Sequence, residues 1–189
     1  MVSEVNCTPI SERSAEHTFI SLVIPAFNEE QVIPSLLSRL NVVTNGLGCS
    51  IEIIFVDDGS TDNTAALLED MCADKFDGKL LILSRNFGHQ NAVTAGLARA
   101  KGNCVVIMDA DLQDPPEVII EMLKKWREGY DIVHGVRADR SSDGFLKKWT
   151  ATLYYRILRL LSNVEMVHQA GDFRLIDQGP CSLITQLPE

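Results

Sequence analysis

The stretch CVVIMDADLQDPPE, residues 104–117, decides the fold. It opens with an unbroken apolar run, as a strand buried on both faces does. Two acids, Asp109 and Asp111, follow at once, and then a proline pair. Pro116 has a fixed φ and no N–H, so it suits the first turn of a helix. Beyond it Val118, Ile119, Met122, Leu123 and Trp126 recur at helical spacing up to Gly129 and make one apolar stripe. The segment therefore reads as strand, acidic loop, helix.

The same grammar repeats outward from it. Residues 19–25, 51–56, 80–83 and 132–136 are further short runs rich in Val, Ile and Leu. Asn28 is placed to cap a helix running to Gly46, and Ser60 or Thr61 one covering residues 65–73. Gly102 closes a third over residues 91–101. Strands alternating with helices predict an α/β fold, a mostly parallel sheet flanked by helices on both faces. Residues 1–18 read as a polar tail without periodicity.

Ligands of open α/β sheets gather beyond the carboxyl ends of the strands. Polar loops stand there in this sequence: Pro25 to Glu30, Asp57 to Ser60, Ser84 to Gly88, Asp109 to Asp114 and Gly135 to Arg137. Carboxylates spaced like Asp109 and Asp111 at a strand end can converge on one hard cation and leave positions for diphosphate oxygens. Magnesium or manganese held so would neutralise a diphosphate leaving group. An acidic loop of no function, or the strand-end acids of aspartyl-phosphate enzymes, would share the spacing. Leu112 stands where the latter usually carry a small residue. Asp57 and Asp58 can accept hydrogen bonds from a ribose or a base, or merely shape a capped turn. A calcium loop starting at Asp58 is disfavoured because Asn63 fills the position that glycine must take. No GxGxxG follows the first strand and no GxxxxGK[ST] occurs, which disfavours dinucleotide folds and excludes phosphate-loop NTPases.

Composition narrows the classes further. The 189 residues fit one domain with a real core, 46% of them hydrophobic and 23% charged. A net charge of −9 argues against a general nucleic-acid binder. Residues 137–159 reverse the sign, with Arg137, Arg140, Lys147, Lys148, Arg156 and Arg159 against Asp139 and Asp143. Such a stretch is either a solvated face or a surface for an anionic ligand or membrane. Leu153, Ile157, Leu160, Leu161 and Val164 follow a helical period, which fits a helix on the core or one lying in a membrane interface. The five cysteines form no CxxC pair, against a zinc site or a disulfide framework and in keeping with a reducing compartment. No apolar leader and no run of about 18 apolar residues is seen, so the chain as given is expected to be soluble or peripheral. His89 falls near the expected site without a second histidine at ligand spacing; His134 reads as core.

Taken in order, PAFNE (25–29), VDDGS (56–60), RNFG (85–88), DADLQDPPE (109–117) and DFRL (172–175) resemble the motifs of inverting family 2 glycosyltransferases. Within them they resemble the dolichol-phosphate mannose synthase and bactoprenol glucosyltransferase branch, over residues 19–177. The resemblance implies a nucleotide-diphospho-sugar transferase fold (GT-A, Rossmann-like) and a Mg2+ or Mn2+ cofactor. It implies a UDP- or GDP-linked sugar donor and a polyprenyl (undecaprenyl or dolichyl) phosphate acceptor at the cytoplasmic face of the membrane. Pro25, Phe27, Asn28 and Glu29 would line the base pocket, and Asp57 and Asp58 would read base and ribose. Asp109 would contact ribose or metal; Asp111, with Gln113, would hold metal and diphosphate. Arg85 would brace the Asp57–Asp58 loop, while Arg137 and Arg140 would face phosphates.

Asp172 stands where the resembled enzymes carry a candidate catalytic carboxylate, with Arg174 as partner or as half of a structural ion pair. A phosphate acceptor is already anionic near neutral pH and hardly needs a base, so Asp172 is expected to orient acceptor or sugar, or to help hold the metal. The resemblance divides the chain into a tail (1–18), a catalytic domain (19–177) and a truncated C-terminal segment (178–189). The resembled branch continues with another basic motif and membrane helices, and Gln178-Gly-Pro-Cys181 looks weak as a helix. Expected partners are the nucleotide sugar, the lipid phosphate, a membrane surface and a further copy of the chain, but no nucleic acid. Two rivals remain: the same fold acting on a sugar or polysaccharide, with Asp172 a true base, and a catalytically silent nucleotide-binding fragment.

Overall fold

A computed structural model describes residues 13, 18–74, 78–136 and 170–186. The chain divides into two compact units, residues 1–135 with 172–189 and residues 136–171. The basic stretch and the amphipathic segment at residues 147–164 lie outside the described residues.

The apolar runs form strands β1 (Phe19–Ala26), β2 (Ser50–Asp57), β3 (Gly78–Ile82), β4 (Cys104–Ile107) and β5 (Ile132–Val136). A sixth strand, β6 (Ala170–Asp177), was not foreseen. The sheet order is β3-β2-β1-β4-β6-β5, with β1 parallel to both neighbours and β6 antiparallel to β4. Side chains alternate across the sheet as the strand period requires. Ile20, Leu22 and Ile24 enter one core with α1 (Ile33–Gly46), α2 (Thr64–Asp74) and α4 (Val118–Arg127). Val23, Ile54, Val56, Val105 and Ile107 enter the other, against α3 (His89–Leu97) and α5 (Gln178–Ile184). With β1 fully buried on both faces from Ile20 to Ile24, each of its large apolar side chains contributes about 1.5–3 kcal/mol.

Helix α4 buries Ile119, Met122, Leu123 and Trp126, the stripe read from sequence. Other helix ends fall elsewhere than expected. Asn28 does not cap α1: it sits at φ 56° and its side chain accepts from the Thr61 N–H at 2.9 Å. The first turn of α1 is closed by the Glu29 carbonyl instead. At α2 the acceptor is Asp62, which takes the Thr64 N–H at 3.0 Å, while Ser60 and Thr61 bond back to Asn28. Helix α3 starts earlier than read and ends at Leu97, and the Gly102 N–H goes to Ser21 Oγ at 2.8 Å. Helix α5 forms despite Gly179 and Pro180, because Asp177 accepts the Gly179 N–H at 3.1 Å and Cys181 is buried. No helix among the described residues is long and apolar enough to cross a membrane.

Candidate functional site

Strand order reverses direction between β1 and β4, and a crevice opens beyond their carboxyl ends, where such folds hold ligands. It is lined by Pro25, Ala26, Phe27 and Glu29 after β1, by Asp58 after β2, and by Asn86, Gly88, His89 and Ala92 around the start of α3. Asp109, Ala110 and Asp111 after β4 complete it.

The loops that build the crevice hold one another. The Asn28 N–H donates to Ser60 Oγ at 2.9 Å, the Glu29 N–H to Thr64 Oγ1 at 2.8 Å, and the Asn63 N–H to the Glu30 carboxylate at 3.0 Å. Asp58 is buried and accepts the N–H groups of Phe87 and Gly88 at 2.8 and 2.9 Å. Its carboxylate therefore fixes the loop that carries His89, and only its remaining lone pairs face the crevice. Asp57 accepts the Ser60 N–H through Oδ2, whereas its buried Oδ1 has no hydrogen-bond partner among the described residues. Gly59 lies at φ 70° with the Arg85 backbone packed where a Cβ would stand, so no other residue fits this turn. Arg85 stacks its guanidinium 4.6 Å over the Phe87 ring. Close approach of Gly96 to Val23 and Val56 seats α3 on the sheet and so places its first residue, His89, over the end of β4.

The acids at the mouth repel one another. Burial, then the charges of Asp111, Asp62 and Asp109, push the Glu29 carboxyl above its ordinary range. Asp109 is raised too, first by burial, with Asp111, Asp172 and Asp114 adding to it and His89 opposing. Asp109 Oδ1 is buried without a hydrogen-bond partner among the described residues. Asp111 Oδ1 accepts the Gln113 N–H at 2.9 Å across Leu112, which is held at φ 59°. Among the described residues no three His, Cys, Asp or Glu side chains are placed to hold a metal ion by themselves.

Of the residues expected from sequence, Pro25, Phe27, Glu29, Asp58, Asp109 and Asp111 come together around the crevice. Asn28 and Asp57 shape its loops, and the exposed Gln113 lies beyond its lining. Asp172, at the start of β6, sits beside it: its Oδ2 is 3.3 Å from His89 Nε2. No ion pair joins Asp172 to Arg174, whose Nε is buried without a hydrogen-bond partner among the described residues. Arg137 and Arg140 lie outside the described residues. Sequence reasoning placed His89 near the site but gave it no role, for want of a second histidine at ligand spacing.

Sheet order and crevice define a nucleotide-diphospho-sugar transferase fold. The chain belongs to glycosyl transferase family 2, whose pattern it matches over residues 21–183. It is 42% identical over 93% of its length to an uncharacterized glycosyltransferase of Bacillus subtilis, and covers 54% of that protein. It is 38% identical over 90% of its length to a prophage bactoprenol glucosyl transferase homolog of Escherichia coli, covering 56% of it. The chain thus spans about half the length of the curated relatives it matches. Among solved structures it is similar to a Pyrobaculum calidifontis mannosyltransferase in complex with GDP-Man and Mn2+. The TM-score there is 0.63 at 20% identity, with 89% of this chain and 47% of that one covered.

Proposed function

We propose that this domain binds a UDP- or GDP-linked sugar and a divalent cation in the crevice and transfers the sugar, with inversion, to a polyprenyl phosphate. The observation that carries the reading is the crevice at the sheet's reversal point, where Asp109, its Oδ1 without a hydrogen-bond partner among the described residues, stands with the like-charged Asp111. Two carboxylates with open positions suit Mg2+ or Mn2+, which take part of their coordination from diphosphate oxygens. Bound there, the cation would offset charge building on the departing diphosphate. The acceptor class is supported by the bactoprenol relative.

The residues divide the remaining work. Phe27, 40% exposed, offers its ring to the base beside Pro25, and the Asn28 latch keeps that wall in place. Asp57 is assigned to the base by motif position alone, and Asp58, which lines the crevice, to the ribose. Gln113 is assigned with Asp111 to the diphosphate by motif position alone. Arg137 and Arg140 are assigned to phosphates by motif position alone. Asp172 orients the acceptor, whose phosphate attacks as an anion; holding the two reactants in line supplies much of the rate. The whole protein works at the cytoplasmic face of the membrane.

Calorimetric titration with UDP and GDP, with and without Mn2+, tests the donor half. One nucleotide should bind only with the metal, and Asp111→Ala should weaken it at least tenfold. Failure of both nucleotides to bind overturns the reading. For the acceptor half, radiolabel from UDP-glucose or GDP-mannose should pass into the organic phase with undecaprenyl phosphate; label passing only to oligosaccharide would assign the sugar-acceptor rival.

A further inference from the structure

Register alone sets up a conflict at the mouth of the crevice. Strands β4 and β6 pair antiparallel, with Ile107 opposite Arg174 and Val106 opposite Leu175. Continued by two residues, that register sets Asp109 opposite Asp172. Like charges facing each other across a strand pair repel and splay apart. Asp172 and Asp109 are nevertheless both directed at one group: His89 Nε2 lies 3.3 Å from Asp172 Oδ2 and 3.7 Å from Asp109 Oδ1. Neither His89 Nε2 nor Asp109 Oδ1 closes a hydrogen bond to any described atom.

The backbone under His89 is fixed from three sides. The Phe87 and Gly88 N–H groups are clamped by Asp58, Gly88 turns the chain at φ 95°, and Gly96 seats α3 on Val23. The imidazole thus moves only about its own side-chain torsions, in a space bounded by two carboxylates from separate strands. Hydrogen bonds of working sites are often long before substrate arrives and tighten in the complex. We propose that His89 is a positioning residue: its Nε2–H draws Asp172 toward Asp109, so that the acceptor-side carboxylate is set against the donor-side acids. The assignment rests on the transfer reading above. No sequence spacing announces it, since its partners lie on other strands.

The experiment uses the full chain. A Gln amide nitrogen can reach where imidazole Nε2 stands, whereas that of Asn falls nearer Nδ1. His89→Ala and His89→Asn should lower kcat about 10–100-fold with donor KM within about threefold, and His89→Gln should recover most of the loss. Combined with Asp172→Asn, His89→Ala should cost less than about twofold more, as residues acting through one another do not add. Mn2+-supported binding of UDP or GDP serves as the folding control and should persist. A raised donor KM at unchanged kcat, equal losses in the Gln and Ala variants, or losses that multiply with Asp172→Asn would overturn the assignment. If the parent transfers no sugar, it is the transfer reading that fails. The imidazole 15N spectrum then still decides the pairing: the His89 Nε2 resonance should move on Asp172→Asn, and an unmoved resonance overturns it.

Discussion

The two ends of the sheet treat charge in opposite ways. At the amino end, acids are matched, and Asp177 and Glu52 among them are buried. Arg13, 3% exposed, donates to the Trp126 carbonyl at 2.9 Å and to Asp131 Oδ1 at 2.7 Å, and stands 3.4 Å from Asp177. Trp126 Nε1 donates to the same Asp177 at 2.8 Å, and the guanidinium lies over the Trp126 ring. Ser21, Lys79 and the Lys101 N–H likewise surround Glu52. At the carboxyl end Glu29, Asp109 and Asp111 crowd one mouth, and Asp109 Oδ1 has no hydrogen-bond partner among the described residues. The amino end pairs its charges, whereas at the carboxyl end like charges stand together.

The largest break in that contrast is expected at Arg13. Removing one partner of a buried ionic cluster leaves the others uncompensated, which costs about 3–5 kcal/mol. Arg13→Ala should therefore lower the urea midpoint sharply while Mn2+-supported nucleotide binding at saturating ligand survives in the folded fraction. A change below about 1 kcal/mol would show that the amino end is not matched as described.

A middle-sized effect concerns pH. Burial pushes Glu52 up, yet the Lys79, Ser21 and Lys101 contacts outweigh it and hold the carboxyl below its ordinary range. A depressed acid stabilises the fold above its unfolded pKa, and that contribution is lost as pH falls through the folded value. Acid unfolding of Glu52→Gln should thus show a weaker pH dependence than the parent below about pH 4.5. Parallel curves would remove Glu52 from the account.

The smallest effect carries the opposite sign. Asp109 is raised, so its ionised form costs stability at neutral pH. Asp109→Asn should raise Tm slightly and should lose metal-supported nucleotide binding. Site residues commonly trade stability for function in this way. A lowered Tm would place Asp109 among the matched charges instead.

Much of this was readable in the chain itself. Residues 104–108 have no polar break and residues 19–25 only Ser21, as suits strands covered on both faces. The acids after them follow from where ligands sit in such folds. What escaped was whatever depends on distant partners. Strand β6 reads D-F-R-L-I-D and looks like a motif, because its charges point to the crevice end and to the Arg13 cluster. Arg13 is one basic residue in a polar stretch, and nothing local says that Asp177 awaits it. His89 has no partner at ligand spacing, since Asp109 and Asp172 reach it from other strands. Helix caps were misplaced because Asn28, Ser60 and Thr61 satisfy one another across loops before any can serve a helix end.

The reversed strand β6 has a consequence for biosynthesis. It lies between β4 and β5, so β5 has no neighbour in the sheet until residues 170–177 have been made. During synthesis β4 keeps an open edge and β5 waits unpaired, the circumstance in which nascent strands stick to other chains. Late closure by a distant segment is also slow, because loop entropy is lost before the contacts form. A ribosome-stalled chain ending before β6 would therefore hold most of the crevice while still lacking Asp172 and the sheet's last seam.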